Sequence, residues 1–567
     1  MRAGIVTALL AALAAQGAES RKLWEGPAVH LGAPSPDGSY IAGPDATGAL
    51  TVRDTASGTV RVIAPAPAGS GEFAYFSVPS PDGTRIAYAW RNRNRFYDLR
   101  VVDVAGGTVR TLVENEELGF VQPCAWSPDG RSILTLFFRR DNISQITLVS
   151  AADGSIRVLR SLNWSYPNRM SMSPDGRWIA FDDFAREGAN ERDIFLLAAD
   201  GTALEKVVEH RANDVFPLFS PDGTGLVFLS DRGGGPGLWL QSLAGSRAEG
   251  EPRLLHGAAG RALPMGITRD GTLYYALRTG EIDVYVSDWG SAEAARVSGK
   301  VRGANSNPQW APDGSRLAYL ARTGQENFGA ESRVIVVRDL ALGGEQVHAP
   351  KLAVIEWARW SPRADSLLLS GSDRHGQRGL FRYDLASGRM AALVREPAVD
   401  SVPMEGTWSA DGKSVYFHRE GALRSVNVET REERELVRAA ELRHLGLSGS
   451  GRYLSYVAGS AVVVLPVESL EPRQVATLRQ GAIDGLEWLP GEEALLLSAP
   501  TDPPSLWRIP AAGGAVSRID WRLPRRGPPR LDPSGKRVAF ARGELTTELR
   551  ALSCRCVAQT ARPPAAQ

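Results

Sequence analysis

Hydrophobic and polar positions along this chain alternate with period two in short runs. That spacing predicts β-strands with one face on a core. Runs such as Arg85-Ile86-Ala87-Tyr88, Trp178-Ile179-Ala180-Phe181, Arg316-Leu317-Ala318-Tyr319 and Arg537-Val538-Ala539-Phe540 alternate large and small side chains. A more continuous apolar strand follows many of them, as in Ile194-Phe195-Leu196-Leu197 and Val334-Ile335-Val336-Val337. A short strand ending in an aromatic precedes several, marked by Trp126, Trp310, Trp360, Trp408 and Trp488. Glycine turns (Asp153-Gly154, Asp200-Gly201, Gly513-Gly514) lead into a last strand. Helical periodicity is confined to one modest candidate, Arg431 to Leu442.

Between the first and second strand of each set lies a recurring tetrapeptide. It is Ser-Pro-Asp-Gly at Ser35 to Gly38, Ser80 to Gly83, Ser127 to Gly130, Ser173 to Gly176 and Ser220 to Gly223. Weaker copies start at Thr268, Ala311, Ser361 and Ser409, and degenerate ones at Ser448, Leu489 and Asp532, spaced by about 39 to 50 residues. Pro presets the second position of a type I turn, Asp suits the third, and Gly accepts a positive φ at the fourth. Asp37, Gly38, Asp82, Gly83, Asp129, Gly130, Asp175, Gly176, Asp222, Gly223, Asp313 and Gly314 are therefore expected to build turns, not to catalyse. Four antiparallel strands in about 45 residues make one propeller blade.

The Trp-Ser-Pro-Asp-Gly-(Arg/Lys)-x-Ile-Ala-Phe pattern, with Ser230-Asp231-Arg232 and Ser372-Asp373-Arg374 after the second strand, resembles the TolB-like propeller repeat, a WD-repeat-like blade. The resemblance implies an all-β fold of tandem β-propellers, with about twelve four-stranded antiparallel blades divided six plus six, or seven plus five as the nearest alternative. The expected division is a signal peptide over 1–18, one propeller over 19–293, a second over 294–558 and a disordered tail over 559–567. TolB itself has an extra N-terminal α/β domain for which this repeat array leaves no room, so its particular partners are not expected to carry over. Ser20 to Glu25 reads as a last strand without its blade, and the final repeat runs out after Thr547 to Ser553. Strand exchange is the expected closure: the Leu23 strand would complete the blade near Tyr275 to Val286, and the Arg296-Val297 strand the final blade.

Composition changes this picture little. Lys+Arg 65 against Asp+Glu 64 gives a net charge of +1, without the basic footprint of a nucleic-acid binder. Arg2 followed by the apolar run Ile5 to Ala15 and the small residues of Ala15-Gln16-Gly17 reads as an export signal, too short to span a bilayer. A periplasmic or secreted location follows, without a membrane span after cleavage. Cys124, Cys554 and Cys556 make no disulfide framework, and Cys124 reads as a small buried residue.

Candidate chemistry lies in the second-to-third and inter-blade loops, which vary on a rigid scaffold. The expected binding residues are Arg91, Arg93, Arg95, Arg139, Arg140, Trp164, Tyr166, Asp182, Asp183, Arg186, His210, Asp373, Arg374 and His375, with the richer loops in the first six repeats. No Gly-x-Ser-x-Gly elbow, P-loop, dinucleotide fingerprint or metal-spaced His pair is present, so no catalytic residue, metal or cofactor is expected. The reading is a monomeric, non-catalytic scaffold for an envelope or secreted protein partner or a small ligand. The alternative is a propeller enzyme, a lyase or hydrolase acting on a polysaccharide or peptide through a channel site.

Overall fold

The computed structural model describes residues 20–553 except 27–31, 69, 95, 142, 164, 187–188, 190, 258–260, 300, 302–303, 323–332, 374–376, 397–403, 440–441, 479–482, 500–504 and 522–523. The export signal, the tail, Cys554 and Cys556 lie outside them. Every regular element among the described residues is a strand. Arg431 to Leu442 therefore departs from its helical pattern: Arg431 takes a positive φ of 64° and Glu433–Arg438 is a strand. That strand is the exposed outer edge of its sheet, where no buried face imposes alternation. No helix among the described residues is long and apolar enough to cross a membrane.

The tetrapeptide turns share one geometry. The glycine N–H of Gly38, Gly83, Gly130, Gly176 and Gly223 donates to the carbonyl of the serine three residues earlier at 2.8–2.9 Å. The glycine φ lies between 68° and 74°. The serine hydroxyl donates to the turn aspartate at 2.5–2.7 Å, and accepts the backbone N–H five residues on, as from Tyr40, Arg85 and Trp178. In the Ser361 copy the carboxylate is displaced by two positions to Asp365, and Ala364 takes the positive φ of 57°.

Among the described residues, ten four-stranded antiparallel sheets result, together with one six-stranded sheet. The chain divides into two compact units: 1–279 with 546–567, and 280–545. In unit 1 the first strands of successive sheets touch in turn. The contact runs from Ala33–Pro34 through Phe73–Pro79, Leu118–Trp126, Met170–Met172 and Asp214–Phe219 to Arg261–Ile267, which returns to Ala33–Pro34. In unit 2, Asn305–Trp310 touches both Leu352–Trp360 and Arg526–Leu531, the first strands of the next sheet and of the last.

The six-stranded sheet holds both ends of this arrangement. Two strands of 17 residues, Thr272–Asp288 and Arg537–Ser553, are each long enough to serve two blades and pair with one another. Within unit 1, the Thr279 and Thr546 hydroxyls meet at 2.7 Å, and Ser20–Glu25 pairs with the end of the second long strand (Ser20 opposite Leu552). Within unit 2, Ala295–Arg296 pairs with Val286 and Tyr285 of the first long strand. The Leu23 strand thus closes the sheet that contains Tyr275, but its direct partner is the C-terminal strand. The Arg296 strand reaches the final blade only through the first long strand. Each expected partner is separated by one intervening strand, because each long strand supplies the third strand of the other's blade.

The aromatic and basic positions of the repeat lock neighbouring blades. The Trp126 indole N–H donates to the Val78 carbonyl of the preceding blade at 3.0 Å, while Arg85 lies over the Trp126 ring and donates to the Gly130 carbonyl. Arg316, Trp360, Ala364 and Gln309 repeat the arrangement in unit 2. Arg537, Trp310, Gly314 and Arg530 use it to join the last blade of unit 2 to the first. Trp310→Phe leaves the Arg530 carbonyl without its donor, an expected loss of about 1–3 kcal/mol, read as a lowered urea midpoint.

Candidate functional site

At one end of the second and third blades of unit 1, strand ends place aromatics side by side. Phe73 opposes Arg91, which opposes Tyr97; Phe120 opposes Phe138. Tyr75 stands edge-on to Phe73, Tyr97 and Phe120, with centroids 5.9, 6.2 and 5.7 Å away, and Tyr97 meets Phe120 at 4.9 Å. The buried Phe76, held at a positive φ of 33°, packs beneath Tyr75 and Phe120. Phe138 extends the row to Tyr166 at 6.0 Å. Phe73, Tyr75, Phe96, Tyr97, Phe120, Phe138 and Tyr166 are all half-buried, so the row is open on one side. Burial pushes the Tyr75 phenol up and that of Tyr97 up to about 12, so both remain neutral donors at physiological pH.

Arginines rim this row. Arg91 lies over Phe73 at 5.5 Å and Arg140 over Phe96 at 4.5 Å. Arg93 reaches Glu72 at 3.7 Å, and Arg139 pairs with Asp141 at 3.1 Å and Glu117 at 3.6 Å.

The other expected binding residues are elsewhere. Asp182 is fully buried: Arg192 Nε donates to it at 2.6 Å and Asn168 Nδ2 at 2.6 Å, while Arg192 also reaches the Tyr166 carbonyl. Asp183 accepts the Phe184 N–H, Arg186 pairs with Glu191 at 2.7 Å, and His210 Nδ1 accepts the Ala212 N–H. Asp373 pairs with Arg395 at 3.0 Å in unit 2. Arg95, Trp164, Arg374 and His375 lie outside the described residues.

A second constellation escaped sequence reasoning. The inner strands of unit 2 carry Arg359, Glu487 and Arg530, joined by Glu405 and His444. Arg359 lies over Trp357 at 5.0 Å, donates to the carbonyls of Gly406 and Leu445 at 2.7 and 2.6 Å, and stands 3.8 Å from Glu405. Glu405 accepts the N–H groups of His444 (2.9 Å) and Leu445 (3.3 Å). Arg530 stands 3.8 Å from Glu487 Oε2, an atom without a hydrogen-bond partner among the described residues. Desolvation pushes Glu487 up to about 7, against Arg530, the Leu531 N–H and Arg359. It also lowers Arg359 to about 10, against Glu405. The one available sequence signal was position: Arg359 and Glu487 each directly precede the tryptophan that ends the first strand.

Together, these features define a protein of tandem β-propeller architecture. The family model for the TolB beta propeller domain matches residues 76–253. Over that region the chain is similar to TolB-like β-propeller repeats. It is 28% identical over 163 residues to the protein TolB homolog of Chlorobium luteolum, covering 28% of this chain and 35% of that protein. It is 29% identical over 166 residues to the Tol-Pal system protein TolB of Bordetella pertussis, covering 29% and 36%. The matched region spans about a third of the length of these two relatives. The structure of a putative TolB from Agrobacterium tumefaciens is similar over 41% of this chain and 80% of that one, with 24% identity and a TM-score of 0.33.

Proposed function

We propose that this propeller protein is a non-catalytic scaffold of the cell envelope or the secreted space, which binds a protein partner on the aromatic and arginine face of unit 1. The open row Phe73, Tyr75, Tyr97, Phe120, Phe138 and Tyr166 with its arginine rim carries this reading. Tyr and Arg are enriched among the residues that dominate protein interfaces, Tyr because it buries a large amphipathic ring at low entropic cost and Arg because its planar guanidinium both stacks and forms several hydrogen bonds. The rings are braced from below by Phe76 and by one another, so docking orders few side chains. In this reading the partner's aliphatic or aromatic anchors lie across Tyr97 and Phe120, and its carboxylates meet Arg91 and Arg140. Residues 1–18 direct export, and each unit is one six-bladed ring.

A photo-crosslinking residue placed at Tyr97 is expected to trap one protein in envelope or secreted fractions, whereas the same residue at Asp129, in a turn at the opposite end of its blade, traps none. Equal labelling from both positions, or none from either, would rule the face out. With the trapped partner purified, Phe120→Ala is expected to weaken binding at least about 30-fold, equivalent to about 2 kcal/mol, by calorimetry.

A further inference from the structure

Alternation along a first strand points every second residue toward the axis around which the blades are arranged. In unit 2 the residues one before the strand-ending position are Gln309, Arg359, Thr407, Gly446, Glu487 and Arg530. In unit 1 the same positions are Ala33, Val78, Ala125, Ser171, Leu218 and Gly266. The repeat therefore closes around small or apolar side chains in one unit, and nothing in blade packing requires charge in the other. Unit 1 does carry one arginine near this level, Arg169, but its guanidinium is satisfied by the Pro264 and Met265 carbonyls at 3.1 and 2.6 Å.

Arg530 differs. Its guanidinium, with five donors, makes no hydrogen bond among the described residues; its one charge contact is Glu487 at 3.8 Å, and its side chain is 18% exposed. Arg359 is pinned by two carbonyls through one nitrogen, and its other terminal nitrogen faces inward toward Glu405. Gly446 contributes no side chain to the same level. Two part-buried guanidinium groups with spare donors, beside a carboxyl oxygen that lacks a hydrogen-bond partner among the described residues, match a ligand that brings its own acceptor oxygens.

We propose that the channel of unit 2 binds a small organic carboxylate, gripped between Arg530 and Arg359, with Glu487 as the third contact. Proton linkage follows from the same geometry. A carboxylate on Arg530 lies beside Glu487, and two carboxyl groups that close share a proton. Glu487, already raised by burial, then donates its O–H to the ligand, so binding takes up a proton. The charged groups acting on it are Arg530 from the neighbouring blade and Arg359; Arg359 in turn faces Glu405, and Glu405, Arg443, Arg530 and Arg359 surround His444 of the preceding blade. His444 is lowered by burial and by the surrounding arginines against Glu405, so its neutral form extends below its ordinary range.

The test is calorimetric titration of the full chain with succinate, lactate and glucuronate at pH 6 and pH 8, with sulfate as the non-carboxylate control. At least one carboxylate is expected to bind about tenfold more tightly at pH 6, with proton uptake seen as a buffer-dependent heat. Arg530→Gln should weaken it at least tenfold. Glu487→Gln should keep the pH 6 affinity and flatten the pH dependence, while His444→Asn, tolerant of the positive φ of 55° there, should preserve it. Circular dichroism confirms that each variant is folded; if Arg530→Gln is not, Arg530→Lys replaces it. No binding by any of the three acids at pH 6, binding indifferent to the Arg530 variant, or sulfate binding equally well would overturn the site. Loss of the pH step in His444→Asn would overturn the role of Glu487.

Discussion

Gly543→Val is expected to lower the thermal unfolding midpoint on the order of 10 °C, followed by far-UV circular dichroism. Gly543 sits where the two long strands cross within unit 2, at a φ of 134°. A Cβ there would lie 2.0 Å from the Glu281 carbonyl oxygen and 3.0 Å from the carbon behind it. Neither is the end of a flexible side chain, so the pairing itself must open. Strain at a conformation suited to glycine and the loss of that pairing together amount to about 4 kcal/mol or more. Gly290→Ala separates the two effects. Gly290 has a φ of 85° but nothing within 4 Å of its added carbon, so only about 1 kcal/mol is expected. Equal losses at both positions would mean that the close approach at Gly543 carries no weight.

Asp182→Ala is the second large effect, with an expected loss of about 3–5 kcal/mol in urea denaturation. Arg192 is among the largest fully buried side chains, and Asp182 is its only carboxylate partner within ion-pair distance among the described residues. Removing Asp182 leaves a buried guanidinium without its counter-charge. It also frees Asn168 Nδ2, which donates to the same oxygen. Because the cost lies in the stranded charge, Asp182→Leu with Arg192→Met is expected to recover most of the loss. If the double variant is no better than the single one, the pair acts through its hydrogen bonds rather than through its charge.

The blades were legible because their signals are local. A turn whose serine, aspartate and glycine each have one backbone task leaves those residues at fixed spacing, and strands with one buried face alternate. The exchange of strands was legible only at its loose ends, Ser20 to Glu25 and Thr547 to Ser553. A strand that serves two blades alternates like a strand that serves one. Thr272–Asp288 therefore carries no mark of its double role except the glycine at its midpoint, Gly280, whose Cβ position lies 2.1 Å from the Glu544 carbonyl oxygen.

The candidate sites follow the same division. Arg91, Arg139 and Arg140 stood out as charged residues in variable loops. Their convergence with Tyr97, Phe120 and Phe138 depends on how neighbouring blades abut, which one blade's sequence does not contain. Asp182 had the same local appearance as the rim residues, yet it is buried, because its partner Arg192 comes from the adjacent strand. Arg359, Glu487 and Arg530 were hidden by the alternation itself. Period two distinguishes one side of a strand from the other, but a residue that faces the channel reads the same as one that faces bulk water.

The shared long strands also bear on the order in which the chain is made. Residues 20–279 emerge from the ribosome before 546–553, and the sheet of Arg261–Ile267 lacks its third strand until 546–553 have been synthesised. At about 5–20 residues per second, that gap lasts on the order of tens of seconds. Unit 2, continuous in sequence from 280 to 545, can be completed earlier than the unit that precedes it. Through this interval the edge of Thr272–Asp288 that later receives the second long strand stays unpaired, a free sheet edge open to pairing with another chain.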